Sequence, residues 1–145
     1  MPYRPMSDEQ VRALLSASPP RTGKLAMVCA DGRPHVAPVW YDVEPDGSIV
    51  FTTGAATVKG RNLARDPRAA LCVDDERPPF SFVVVEGVAE LDDDLAVVRP
   101  LAARLGGRYM GAGRGEEYGA RNGVPGELAA RLRPGRVVSA ADLAD

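Results

Sequence analysis

The 145-residue sequence predicts a mainly β protein, a barrel or half-open barrel with accessory helices. Three observations point there. Apolar runs with strand-like alternation are separated by turn signals, Asp31-Gly32 and Pro45-Asp46-Gly47. The longest run, FSFVVVEGVAEL, is interrupted by Gly87, as where a barrel strand bulges or turns a corner. The alternating βαβ rhythm of a doubly wound fold is absent, and so are its glycine-rich phosphate loops.

Each element follows from a local signal. Ser7 precedes Asp8, Glu9 and Gln10, so Ser7 and Gln10 can form a capping box for a helix with Val11, Leu14 and Leu15 on its apolar face. Pro19 and Pro20 stop it. Strands are expected over Lys24–Ala30, Pro34–Val43 and Ser48–Thr53, a β-meander. Gly54 breaks the third, and Ala56–Arg65 reads as a short helix ended by Asp66-Pro67. Ala69–Val73 and Phe80–Leu91 continue the sheet. Asp92–Asp94 cap a helix over Leu95–Leu105, and Glu116–Arg121 is a second short helix. Glu127–Arg133 and Val137–Ser139 supply a final strand or pair. About six strands result, in one domain over residues 1–145.

Composition excludes several classes. The apolar share is 45%, the charged share 26% and the net charge −2. Proteins that coat nucleic acid or anionic membrane need a strong basic excess, which this chain lacks, although a local cationic pocket remains possible. Cys29 and Cys72 sit in apolar runs and read as reduced core thiols. There is no CxxC and no Cys/His cluster, so no metal site is expected. The polar start MPYRPMSDEQ lacks an apolar leader core, and the apolar runs are far shorter than the ~20 residues of a membrane helix. A cytoplasmic protein is expected.

Chemistry concentrates in three segments. In FTTGAATVKGRNLARDP, residues 51–67, a strand hands over to a helix whose first N–H groups and positive dipole end suit an anion. Thr53 and Thr57 add hydroxyls, Lys59 a compact charge, Arg61 a planar fork of donors and Asn62 an amide. The same residues also suit an ordinary capped helix with a solvated face. In PHVAPVWYDV, residues 34–43, His35, Ala37, Val39 and Tyr41 share one strand face, and Val36, Pro38, Trp40 and Asp42 the other. Pro38 disturbs the ladder and leaves backbone groups that a heteroaromatic ring can use. Trp40, the sole tryptophan, suits core or interface packing, and His35, the sole histidine, a hairpin surface. In RPPFSFVVVEG, residues 77–87, Phe80 and Phe82 read as core aromatics and Glu86 as a carboxylate that needs an arginine partner if buried. No nucleophile–base pair is visible.

Together these segments resemble the FMN-binding split-barrel superfamily, the pyridoxamine-5'-phosphate-oxidase-like fold. They most resemble its branch of actinobacterial oxidoreductases that use the deazaflavin coenzyme F420. The resemblance rests on TGKLAMVCADGRPHVAPVWYD, on FTTGAATVKGRNLARDPRAALCVDDERPPFSFVVVEGVAEL, and on the tail GRYMGAGRGEEYGARNGVPGELAARLRP, which favours the deazaflavin branch. It implies a six-stranded, Greek-key-like split β-barrel that works as a homodimer. By resemblance, Lys59, Arg61 and Asn62 hold the cofactor phosphate, helped by Thr52, Thr53, Thr57 and Val58. Ala37, Pro38, Val39 and Trp40 line the tricyclic ring. Phe80, Ser81, Phe82 and Val83 reach the same cofactor from the second subunit. The chain's end, RLRPGRVVSAADLAD, lacks the Trp-Arg-Leu-type motif of true pyridoxamine phosphate oxidases, which argues against vitamin B6 oxidation.

The implied reaction is hydride transfer from reduced coenzyme F420 to an activated double bond of a small molecule, with no side chain assigned as obligate acid or base. The alternatives are an FMN-dependent oxidoreductase of the same fold, a non-catalytic protein that binds flavin, F420 or haem, and a barrel without cofactor. The glycine-rich stretch Tyr109–Gly123 is read as a loop, either a lid or a plain surface connection.

Overall fold

The computed structural model describes residues 4–145. The first three residues of the polar N-terminal stretch lie outside the described residues. Helix α1 (Asp8–Leu15) begins with the expected reciprocal cap: the Ser7 hydroxyl accepts from the Gln10 amide and the Gln10 side chain accepts from the Ser7 amide. Strands β1 (Gly23–Val28), β2 (Pro34–Val39), β3 (Asp42–Val43) and β4 (Ile49–Gly54) follow, then helix α2 (Val58–Arg65) and strands β5 (Arg68–Asp75) and β6 (Ser81–Asp92). Helix α3 (Leu95–Met110), a short 3-10 turn (Ala112–Arg114) and helix α4 (Gly115–Asn122) precede the last strand, β7 (Glu127–Ala140).

All strand pairs are antiparallel, in the spatial order β2-β1-β5-β6-β7-β4-β3. The two edges of this sheet belong to neighbouring segments of one chain, because β2 runs into β3 through Trp40 and Tyr41 alone. The expected single strand Pro34–Val43 is thus divided: its first part pairs with β1 and its second with β4. The sheet therefore curls round on itself, and its six long strands make the expected split barrel, with β3 as the short return of β2.

The core fills the inside. Leu25, Met27, Val39, Tyr41, Ile49, Phe51, Leu71, Val73, Val83, Val85 and Leu132 point inward, each at alternate strand positions. Leu15 and Leu63 close it from α1 and α2. The Tyr41 hydroxyl, fully buried, donates to the Leu15 carbonyl at 2.7 Å.

Gly87 marks the expected irregularity. The β6–β7 register passes from Glu86↔Arg136 to Gly87↔Pro134, so Gly135 is the extra residue. A side chain at Gly87 would stand 1.9 Å from the Arg133 carbonyl oxygen. The bulge also accommodates Pro134, which cannot donate to a regular ladder. The tail strand is one element rather than a pair. Glu86 is exposed, with Arg136 4.0 Å away, so its carboxylate stays in water and needs no buried partner.

Within the Tyr109–Gly123 stretch the short helix expected over Glu116–Arg121 forms, and the remainder is more ordered than the expected loop. The stretch holds the last turn of α3, the 3-10 turn and α4, folded back on α3. Tyr118 is buried against Gly106, where a side chain would lie 2.3 Å from the Tyr118 Cβ. This close packing makes the stretch a wall of the fold.

Candidate cofactor and substrate site

The site is built where the barrel splits. β3 pairs with β4 only through Asp42↔Val50 and Val43↔Ile49. Continued one strand-length further, that register would set Trp40 against Thr52 and Val39 against Thr53, but pairing has stopped. Pro38, without an N–H, lies just beyond. On its other side β4 remains paired, with Thr52 opposite Ala129 and Thr53 opposite Leu128. The seam between β2 and β4 therefore exposes backbone from the segments that the sequence marks as ring-lining and phosphate-binding.

Strand alternation divides the ring-lining residues. Val39 is a core residue and Ala37 is half-buried on the same side, so they offer only backbone to the seam. Pro38 and Trp40 face outward. One face of Trp40 is stacked on Tyr109 of α3, at 5.1 Å and 3°, and Tyr118 of α4 meets it edge-on at 5.6 Å. The α3–α4 pair thus forms an aromatic wall beside the seam.

At the strand–helix junction, Thr57 is the N-cap of α2. Its hydroxyl accepts from the Gly60 amide at 3.1 Å and donates to the Gly54 carbonyl at 2.7 Å. The Thr53 hydroxyl lies 3.2 Å from that of Thr57 and therefore donates to it. Both hydroxyl protons are already committed to holding the junction. Gly60 lets α2 sit against β4, since a side chain there would meet the Gly54 carbonyl oxygen at 2.1 Å.

The groups left over for a ligand are cationic. Lys59 is half-buried and Arg61 exposed, and neither has an ion-pair or hydrogen-bond partner among the described residues. Val58 is exposed at the first helical position, where the backbone N–H groups have no partner within the helix. Asn62 differs from the sequence expectation. It is only 5% exposed, its amide donates to the Cys29 sulfur at 3.6 Å, and its carbonyl oxygen accepts from Arg65 at 3.1 Å. It faces inward with Leu63, as a strut between α2 and the end of β1. Cys29 and Cys72 are both free thiols.

Phe80, Ser81, Phe82 and Val83 lie elsewhere. They lead into β6, which is separated from β2 by β1 and β5. Val83 is fully buried in the core, and Ser81 and Phe82 are half-buried. Phe80 is 40% exposed and held at φ +64°, a left-handed conformation that a bulky residue adopts only under constraint. The Phe80 amide donates to the Arg77 carbonyl, and the carbonyls of Pro79 and Phe80 accept from Ala144 and Leu143. A single chain does not bring this segment to the seam.

Residues not singled out in the sequence complete the wall. Arg108 donates to Asp42 at 2.6 Å and to the Leu15 carbonyl at 3.0 Å. Its guanidinium lies over Tyr41 at 5.0 Å and Tyr109 at 5.5 Å. Arg104 adds bonds to Asp42, Glu44 and the Val43 carbonyl, tying α3 to β3. The Tyr109 hydroxyl donates to the Arg21 carbonyl at 2.7 Å, and burial pushes its acidity down, as it does for Tyr41. Neither phenol is a ready proton donor. The tyrosines' spacing in a glycine-rich tail gave no periodic signal; only the chance of an aromatic partner for Trp40 could have flagged them.

Comparison with known proteins places this geometry. A pyridoxine/pyridoxamine 5'-phosphate oxidase of Pseudomonas paraeruginosa is 30% identical over 108 residues, 72% of this chain and 50% of that protein. A 5a,11a-dehydrotetracycline/5a,11a-dehydrooxytetracycline reductase of Streptomyces rimosus is 36% identical over 75 residues, 47% of this chain and 53% of that protein. The chain spans about half the length of these relatives. Among solved structures, a conserved hypothetical protein of Mycobacterium tuberculosis superimposes with a TM-score of 0.81 at 27% identity, over 94% of this chain and 86% of that one. A structure described as an F420 reductase shares the fold, with a TM-score of 0.70 at 24% identity, over 90% of this chain and 98% of that one. The sequence model of the pyridoxamine 5'-phosphate oxidase family matches residues 7–138, nearly the whole described chain, and the protein belongs to that family.

Proposed function

We propose that the protein is a cytoplasmic, homodimeric reductase that uses reduced coenzyme F420 to reduce an activated double bond of a small organic substrate. The observation that carries this reading is the barrel seam between Val39–Trp40 and Thr52–Thr53, opening beside a helix start with two cations, Lys59 and Arg61, that have no partner among the described residues. The donor set fits a phosphate-bearing tricyclic cofactor through those two cations and the first amides of α2, rather than through the committed Thr53 and Thr57 hydroxyls or the inward Asn62. The likeness to a dehydrotetracycline reductase and to the fold of an F420 reductase supports the reductase reading.

When bound, the reduced deazaflavin supplies the hydride. The chain binds and orients. Lys59 and Arg61 would hold the phosphate, the seam backbone at Pro38–Trp40 would receive the ring, and Trp40 with its tyrosine wall would limit where a substrate can lie. Phe80 and Ser81 of a second copy would complete the pocket, since in their own chain they lie at the far end of β7, where Phe82 pairs with Ala140, whereas the seam residue Thr52 pairs with Ala129. The proton that accompanies the hydride would come from water, because the Tyr41 and Tyr109 hydroxyls already donate to the Leu15 and Arg21 carbonyls. Fluorescence titration of the purified protein with F420 and FMN side by side tests the assignment. Saturable F420 binding, with FMN at least about tenfold weaker, is expected. Lys59→Ala and Arg61→Ala should each weaken F420 binding by about tenfold, the loss of one charge-assisted hydrogen bond. Tight FMN binding with none of F420 overturns the cofactor choice.

A further inference from the structure

The wall beside the seam carries more than aromatic rings. Tyr118 is flanked by two guanidinium groups of its own helix region, Arg114 at 5.3 Å and Arg121 at 5.6 Å from the ring centroid. Tyr118 itself meets Trp40 edge-on at 5.6 Å. The three residues recur at helical spacing, so Arg114, Tyr118 and Arg121 share one face of the α4 region. The two cations differ. Arg114 is neutralised by a two-pronged pair with Glu117, at 2.9 and 3.0 Å. Arg121 is exposed and makes no ion pair or hydrogen bond among the described residues, and the nearest carboxylate on its helix face, Glu117, is already held by Arg114. Packing over Tyr118 favours one direction of its otherwise flexible stem. A guanidinium with no salt bridge among the described residues therefore lies over the ring that meets the indole edge-on, in a chain whose net charge is −2.

We infer that the substrate bears an anionic group, a carboxylate or its chemical equivalent, next to its reducible double bond, and that Arg121 anchors that group while Trp40 and Tyr118 bound the unsaturated part. This rests on the reductase reading of the seam and adds the substrate class. Arg121 acts as a specificity-determining residue: it selects the acid over its neutral ester and sets which end of the molecule faces the seam. The planar fork of guanidinium donors matches two carboxylate oxygens, which a point charge would do less well.

Trp40 is the sole tryptophan, so its emission reports binding at this wall without turnover or cofactor. The experiment titrates a cyclohexenone carboxylate and its methyl ester into the wild type, Arg121→Gln and Arg121→Lys, alone and with F420 bound. The expected result is that the acid binds about tenfold more tightly than the ester in the wild type, that Arg121→Gln brings the two within about twofold, and that Arg121→Lys keeps part of the difference. F420 affinity should be the same in all three. Equal binding of acid and ester by the wild type overturns the inference. So does a loss of F420 affinity in Arg121→Gln with the acid preference kept, which would assign the arginine to the cofactor. A protein that prefers the acid but binds no F420 supports the anchor and sinks the cofactor reading. One that binds F420 but ignores the charge sinks the anchor alone.

Discussion

Asp66, at the end of α2, shows how single residues tune this fold. Arg68 grips its carboxylate through the guanidinium at 2.7 and 3.0 Å and through its own amide at 3.2 Å. The side-chain bond is the larger influence, and it lowers the carboxyl from its ordinary 3.8 to about 2. Asp75 is held in the same way by Arg77 and is lowered further. Because these carboxyls are depressed in the folded chain, their contribution is present above the ordinary carboxylate range and is lost as pH falls through the folded values. The Arg68 amide resonance should therefore titrate with a midpoint near 2 rather than 3.8, as followed by NMR in acid. A midpoint at the ordinary value would show that the turn is open in solution. Asn62 illustrates what single-residue chemistry hides. Its amide suits a phosphate as well as a sulfur, and only the helical phase that sets it beside Leu63 decides for the inside. Thr53 and Thr57 are a similar case: donors by type, they are already in use by position.

At the scale of elements, local chemistry and tertiary packing divide the work. The Ser7–Gln10 cap, the Asp-Gly turns and the Gly87 bulge are written in short motifs, so their elements are legible. The α4 region is legible only in part: Glu116–Arg121 reads as a short helix, but Gly111, Gly113, Gly115, Gly119 and Gly123 give the stretch a poor intrinsic preference for helix and hide how it packs. It is helical because Tyr118 seats into the space at Gly106 and Gly119 lies against Ala103. Gly106→Ala would place a methyl group 2.3 Å from the Tyr118 Cβ. It should cost about 1–3 kcal/mol in urea unfolding, and it should change Trp40 emission because the wall moves as a unit. An unchanged emission with lowered stability would mean that Trp40 does not rest on α4. The division of β2 from β3 was equally hidden, since inside–outside alternation runs without interruption from His35 to Tyr41 and betrays no loss of pairing on one side.

On the scale of the whole molecule, the outer face of β2, β1 and β5 presents small and apolar residues to solvent. Val36, 63% exposed, stands opposite Ala26, which stands opposite Ala70. In the proposed homodimer this surface would be the one buried between the two copies. Sedimentation equilibrium should return twice the 15.4 kDa chain mass, and Val36→Asp should shift the population toward the single chain while lowering F420 affinity. Dissociation without any change in F420 affinity would place the site wholly within one subunit.

The order of strands also constrains when pairing can be completed. Strand β4 lies between β3 and β7, and only Ile49 and Val50 pair with β3, so Phe51 through Gly54 stay unpaired until Ala130 through Glu127 arrive. During synthesis the early hairpins leave the ribosome with one row of amides and carbonyls unanswered, and that row belongs to the stretch leading into Lys59. Completion of the last strand, more than any local propensity, then decides when the anion pocket first exists. Nascent chains released before that point should be prey for proteases and for one another.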